Sequence, residues 1–270
     1  MKLRSWITAF LLSTASLGAT DFQPWYPRDL EIQTRFLYAQ QRYDNVDTIT
    51  GSVPQRSTNN FFGAGVEVAY TEWCGEVELM TSQTLSRAWS PEYLRATARY
   101  QLMDDVIGDP VSLVVGATGT YVFGQSIKDI AVFHQCRVEG ELHLAVGKEY
   151  STGANWIARA WALGAVGGGE HGAAWYRGLV VADYLYCLNH ELRVFVEGLH
   201  GNGSQALNLS VPFNGYGTIN YETGDVGGRY SYYFDFYGSF SFTFAYRFYA
   251  KNCPEYAKTY AIEFLYPFGL

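Results

Sequence analysis

The charged side chains of this sequence recur at every second position instead of gathering into clusters. Glu76 and Glu78, Arg95 and Arg99, and Arg137, Glu139 and Glu141 are each two or four residues apart. Glu67, Arg159, Arg177, Asp183, Arg193, Glu197, Arg229, Arg247 and Glu263 continue the same phase in their own segments. Arginines and acids are interleaved, and Lys is scarce among them. The planar guanidinium fork satisfies both oxygens of a carboxylate, so Arg suits partly buried ion pairs better than an open solvent face. Such rows support two kinds of chemistry. They line a pore and set its selectivity by local field, or they pair across neighbouring strands and fill the space between them.

Covalent catalysis needs a nucleophile within reach of a base, and the sequence supplies no diagnostic pair. Of the five His residues, His143 lies in the charged phase, His134 and His171 in or near connections, His190 near a turn and His200 at the end of an alternating run. No G-x-S-x-G occurs. The run "VGGGEHG" lacks the Lys-Ser/Thr ending of a phosphate loop and precedes a strand. Cys74, Cys136, Cys187 and Cys253 form no CxxC and no zinc spacing. The expectation is therefore no catalytic residue, no metal and no cofactor.

Between the charged positions lies an apolar phase of equal period, and a period of two is the signature of strands. In "LEIQTRFLY", Leu30, Ile32, Thr34, Phe36 and Tyr38 oppose Glu31, Gln33, Arg35 and Leu37. The pattern places strands near 30–43, 60–70, 75–83, 93–102, 111–123, 135–147, 156–166, 174–184, 190–200, 225–233, 239–249 and 259–270. "RYSYYFDFYGSFSFTFAYRF" is split at "FDFYG", where Asp235 and Gly238 favour a turn. Two connections are long and polar, "DNVDTITGSVPQRSTNN" and "GNGSQALNLSVPFNGYGTINYETG".

Composition fits this reading. Aromatics reach 17%, charged residues are only 17%, and the formal net charge is −7. No basic footprint for nucleic acid is present. The N-terminus has Lys2 and Arg4, a short apolar run from Trp6 to Leu12 and small residues to Ala19, the layout of a secretory signal. Residues 1–19 are expected to be removed, which takes the charge to −9 and leaves 20–270 as one domain.

Alternation alone fits a soluble sandwich as well as a membrane barrel, which turns its apolar phase towards lipid. Three features favour the barrel. The apolar phase is almost free of charge. It holds small residues such as Ala158, Ala160, Ala162 and Gly164, which would leave voids in a packed core. Aromatics such as Tyr38, Tyr70, Tyr100, Tyr121, Trp156, Tyr184 and Tyr246 sit at strand ends, where interfacial girdles belong.

The export signal, the strand lengths and the alternating aromatic end "TYAIEFLYPFGL" resemble the outer-membrane β-barrel proteins of Gram-negative bacteria. In that family the last strand carries a signal for the barrel assembly machinery, and Tyr260, Ile262, Phe264, Tyr266 and Phe268 match it. Gly269 and Leu270 extend it beyond the usual final aromatic. The resemblance implies both termini in the periplasm, an even strand number and extracellular long loops. The expected fold is all-β, a closed antiparallel up-and-down transmembrane barrel of about twelve strands in the cell outer membrane, monomeric and in contact with outer-membrane lipid.

The expected function is a narrow channel for small polar solutes. Its lumen would be lined by Glu67, Glu76, Glu78, Arg95, Arg99, Arg137, Glu139, Glu141, His143, Arg159, Arg177, Arg193, Glu197, Arg247 and Glu263. The alternatives are a plugged structural or adhesin-type barrel with a charge-paired lumen, and an outer-membrane lipid hydrolase. Cys74 and Cys187 map to periplasmic turns and Cys136 and Cys253 to the outer rim. Each such pair lies too far apart for a disulfide, so free thiols, or links to other envelope proteins, are expected.

Overall fold

A computed structural model describes residues 22–26, 30–152, 155–234 and 238–269. The expected export signal lies outside them. Twelve long strands form the wall: β1 (Glu31–Thr48), β2 (Gly51–Tyr70), β3 (Trp73–Gln83), β4 (Ser90–Met103), β5 (Ser112–Val122), β6 (Val138–Thr152), β7 (Asn155–Gly169), β8 (Trp175–Tyr186), β9 (His190–Asn202), β10 (Asn220–Tyr233), β11 (Ser239–Lys251) and β13 (Lys258–Gly269). A two-residue strand, β12 (Pro254–Glu255), pairs with Asn45 and Val46 of β1. Every wall strand is antiparallel to its sequence neighbour. β13 pairs with β1 from Gly269↔Glu31 to Lys258↔Arg42, which closes the ring and leaves no edge.

The alternation sorts the side chains as a period of two requires. On β1, Phe36 and Tyr38 are exposed on the outer surface, and Gln33, Arg35, Leu37 and Ala39 are buried inside. On β13, Tyr260, Ile262, Phe264 and Phe268 are exposed, and Ala261, Glu263 and Leu265 are buried. The exterior is thus apolar and the interior carries the charges, the inverse of a soluble sandwich. Pro267 pairs with Gln33 two residues beyond the point where the β11 ladder ends at Leu265, so its missing N–H breaks no bond on that side.

Several boundaries differ from the sequence reading. The first long connection is mostly strand: β1 and β2 run on to a turn at Ile49–Thr50, so a hairpin rises above the wall where a loop was expected. β10 starts at Asn220, five residues earlier than expected, and β6 starts at Val138, three later. Trp156 faces inwards, where an outer girdle was expected. The β6–β7 register slips between Tyr150 and Ser151, which inserts one residue and reverses the alternation at that end. The thiols are free; Cys74, Cys136 and Cys253 are buried and Cys187 is exposed.

Val180 is 62% exposed in the middle of β8, beside the outward Ala162 and Val196. An arginine there is expected to cost about 2–4 kcal/mol of folding stability in a bilayer. The same change on a wetted sheet face stays within about 0.5 kcal/mol. Equilibrium unfolding of Val180→Arg in lipid vesicles measures which face lipid covers.

Candidate functional site

The lumen is a stack of three levels, each built from inward-phase side chains. The lowest surrounds residues 22–26, Phe-Gln-Pro-Trp-Tyr, which lie inside the ring at the end where β1 begins. Phe22, Gln23, Trp25 and Tyr26 are buried. Phe22 stacks on His143 with ring centroids 4.1 Å apart, and the Arg99 and Arg177 guanidinium groups lie 5.3 and 6.0 Å from its ring. Arg99 also lies 5.4 Å from the Tyr26 ring, and Arg159 lies 4.8 Å from Trp25. The Trp25 indole N–H donates to Asp105 Oδ1 at 2.9 Å, and the Tyr26 hydroxyl donates to the Glu72 carbonyl. Arg99 and Gln101 donate to the carbonyls of Gln23 and Pro24 at 3.4 and 3.3 Å. His143 fits flat because Gly116 stands opposite it on β5; a Cβ there would come within 2.2 Å of the imidazole. Asp105, in the turn after β4, fastens this level. Burial pushes its carboxyl up, but hydrogen bonds from Ser112, the Glu149 N–H and Trp25 prevail and hold it below the usual carboxylate value.

The wall itself is zipped by ion pairs between inward residues of neighbouring or next-neighbouring strands. Arg35 binds Glu76 and Glu78, and Glu78 also accepts from the Tyr93 hydroxyl. Arg99 meets Glu67 at 2.8 Å, Arg159 meets Glu149 at 2.6 Å, and Arg177 meets Glu141. Arg193 binds Asp183, Arg229 reaches Glu191 at 3.5 Å, and Arg247 forks onto Asp225 at 3.0 and 3.3 Å. Arg95 lies 4.4 Å from the Tyr93 ring and 3.4 Å from the Thr120 hydroxyl. Above the 22–26 segment these walls enclose a cavity of about 60 Å³, bordered by Arg95, Arg177, Arg247, Glu139, Glu141, Glu197 and Asp225.

Two connections fold inwards to form the third level, residues 123–137 between β5 and β6 and residues 203–219 between β9 and β10. Phe133 stacks on Tyr216 at 4.2 Å, with Tyr221 edge-on to both. The Tyr216 and Gly217 N–H groups donate to the carbonyls of His134 and Gln135 at 2.8 and 2.9 Å. Gly215 makes this approach possible. Its φ is +89°, and a Cβ would sit 2.5 Å from the Gln135 carbonyl oxygen. His134 pins the first loop to the wall, with Nε2 3.1 Å from Glu92 and Nδ1 3.7 Å from Glu139. Burial lowers its affinity for a proton, but Glu139 and Glu92 outweigh this and raise it to about 9.

Of the residues expected to line the lumen, Glu67, Glu76, Glu78, Arg95, Arg99, His143, Arg159, Arg177, Arg193, Glu197, Arg247 and Glu263 are buried on the inward face. Glu139 and Glu141 are nearly so, with side chains 11% and 14% exposed. Arg137 is not among them. It precedes the first residue of β6, is exposed, and lies against the Tyr121 ring at 5.6 Å, its Nη2 donating to the tyrosine hydroxyl at 3.1 Å. The sequence reading missed the 22–26 segment and the inward 123–137 loop. Phe22, Trp25, Tyr26 and Phe133 are aromatic residues outside any alternating strand, a trait that linkers and inserted segments share.

The His134 bridge has a definite pH window. Its contribution is complete below the ordinary histidine value of 6.5 and is lost as pH rises through about 9. Protease cleavage within residues 123–137 is expected to quicken between pH 7 and 10. His134→Gln should cleave quickly at both and lose the pH dependence.

Three solved structures share this architecture. An outer membrane channel from Pseudomonas putida F1 matches 90% of this chain and 97% of its own, with a TM-score of 0.66 and 13% identity. The NanC porin matches 89% of this chain and all of its own, with a TM-score of 0.56 and 6% identity. The KdgM porin matches 87% and 99%, with a TM-score of 0.50 and 10% identity. No family model and no curated protein matches the sequence. With identities this low, what is shared is the backbone: a closed antiparallel barrel of twelve wall strands, the fold of outer-membrane channels.

Proposed function

We propose that the protein is a narrow outer-membrane channel for small polar solutes and ions, closed at rest by its own chain at both ends of the lumen. The observation that carries this reading is the charged cavity between the two closures. A cavity of about 60 Å³ has room for a few waters. Carboxylates outnumber arginines around the cavity, with Glu139, Glu141, Glu197 and Asp225 against Arg95, Arg177 and Arg247. Permeating cations are therefore favoured over anions.

The lower closure is built so that it can leave. Each arginine that grips a ring of the 22–26 segment already holds a wall carboxylate: Arg99 holds Glu67, Arg159 holds Glu149 and Arg177 holds Glu141. Withdrawing the rings strands no guanidinium without a counter-ion, so the large penalty for an unpaired buried charge does not arise. What is lost is ring–cation contact, about 0.5–2 kcal/mol each, and a few hydrogen bonds.

In this reading residues 1–19 are the export signal, the mature chain is a monomer, and the outward Tyr260, Ile262, Phe264, Tyr266 and Phe268 are read by the assembly machinery. It assigns no chemical step. His143, the candidate base, lies flat on Phe22, and neither of its ring nitrogens has a hydrogen-bond partner among the described residues.

Planar-bilayer recording tests the proposal. The wild type is expected to pass small cations at low conductance, and Phe22→Ala/Trp25→Ala/Tyr26→Ala to raise that conductance several-fold. A triple variant that inserts normally but stays electrically silent would mean a structural barrel and no channel.

A further inference from the structure

Two groups of charges near the rim of the outer wall are internally balanced, and the rung at the closing seam is not. On β9–β11, Glu222 receives Lys251 at 2.8 Å and the Tyr249 hydroxyl at 3.0 Å, with His200 at 3.7 Å. Higher on β1–β2, Asp44 meets Arg56 at 3.5 Å. At the closing seam, however, Arg42 of β1 and Lys258 of β13 are direct cross-strand partners, and both are exposed on the outer face. Neither makes a hydrogen bond or ion pair with any described residue. Like charges placed directly opposite each other destabilise a sheet. This pair also stands where the barrel must close.

The register places two further hydroxyls in the same rung. Thr58 of β2 is opposite Arg42, and Tyr246 of β11 is opposite Lys258. The outward rung is thus Thr58, Arg42, Lys258 and Tyr246, donors across four adjacent strands with no carboxylate among them. Its height is also defined. The next rung down holds Asn60, Gln40, Tyr260 and Phe244, and the one below it Phe62, Tyr38, Ile262 and Phe242. Apolar and aromatic side chains give way to amides and then to cations, the sequence met on leaving hydrocarbon for a headgroup layer. Adjacent strands are about 4.8 Å apart, so one phosphate group can accept from Arg42 and Lys258 together.

We propose that Arg42 and Lys258 form a binding site for the phosphate of an outer-leaflet glycolipid, which bridges β1 and β13 and offsets the repulsion at the seam. This rests on the outer-membrane reading above, because only there does such a lipid face this rung. The headgroup, and no free anion, is the occupant: the site is an open rung continuous with the apolar wall, so acyl chains lie along Tyr38, Ile262 and Phe242 while the phosphate meets the cations.

The full-length protein, refolded in zwitterionic micelles, is mixed with bisphosphorylated lipid A and examined by native mass spectrometry and thermal unfolding. The wild type should retain lipid A. Arg42→Gln/Lys258→Gln should lose about a hundredfold in affinity, roughly tenfold for each of the two charge-assisted bonds. Lys251→Gln, whose lysine already has Glu222, should bind like the wild type. Without lipid the double variant should melt at or above the wild type, since repulsion is relieved; lipid A should reverse that order. Equal retention by wild type and double variant overturns the proposal. So does full protection by inorganic phosphate at the same concentration, or by lipid A stripped of phosphate. Membrane fractionation of cells separates the two readings: binding in micelles with the chain found outside the outer membrane sinks the location and leaves the site.

Discussion

Everything in this molecule depends on the pairing of its first wall strand with its last. β1 and β13 run in register for twelve residues, from Glu31↔Gly269 to Arg42↔Lys258. Without that ladder the sheet has two edges, each with a row of unpaired N–H and C=O groups, which hydrocarbon cannot solvate. With it, every wall strand has two neighbours, and side-chain direction decides what each face carries. The period of two then does the sorting. An apolar residue and a charged residue one position apart end up on opposite sides of the wall, one in lipid and one in the lumen.

Closure at twelve strands creates an interior too wide for wall side chains alone to fill. The chain meets this with two different materials. Arginines and carboxylates on the wall pair with one another, so the charge ladder is largely self-sufficient. The remaining space is taken by segments that belong to no strand: residues 22–26 below, and parts of 123–137 and 203–219 above. These bring aromatic rings, most of which pack against guanidinium faces without taking the carboxylates those cations hold; Trp25 on Asp105 and His134 on Glu92 and Glu139 are the fastenings. That division of labour makes filling and ion pairing nearly independent. It also explains why inward positions such as Leu37, Phe61, Leu163, Val181 and Phe195 are apolar in an otherwise charged phase: they are buried among the fillers and with each other.

How much of this the sequence revealed follows from the same physics. Period two exposes strands and the choice of face, so Phe36 and Glu263 could be placed on opposite surfaces from spacing alone. Non-local folding leaves no period. Nothing in "FQPWY" distinguishes an inserted plug from a linker, because its contacts with Arg99, Arg159 and Asp105 are 73 or more residues away in the chain. Arg137 was misplaced because alternation was carried three residues past the true start of β6. Trp156 was misplaced because one inserted residue in β7 reverses the alternation without changing its appearance. The hairpin above the wall has the polar composition of a loop, although Val46 on its β1 strand is buried among Ile130, Leu207 and Cys253.

The two closures are held by different kinds of interaction, and this sets which end yields first. Above, the loops are joined through their backbones, Tyr216 and Gly217 to His134 and Gln135, and Ala173 to Gly217 at 2.7 Å. Tyr216 adds a hydroxyl bond to the Ile130 carbonyl at 2.8 Å, and the charged His134 ties the assembly to Glu92. Breaking this level exposes buried backbone groups together, each costing roughly 1–3 kcal/mol if left unmet. Below, the segment is fastened through two side chains, Trp25 to Asp105 and Tyr26 to the Glu72 carbonyl; the donor bonds from Arg99, Gln101 and Arg193 are 3.3–3.4 Å long, and the rings rest on cations that keep their partners when the rings depart. The lower rings therefore part from cations that stay paired, whereas the upper level must come apart between two loops joined by backbone bonds. In the proposed channel, opening therefore begins at the end occupied by residues 22–26.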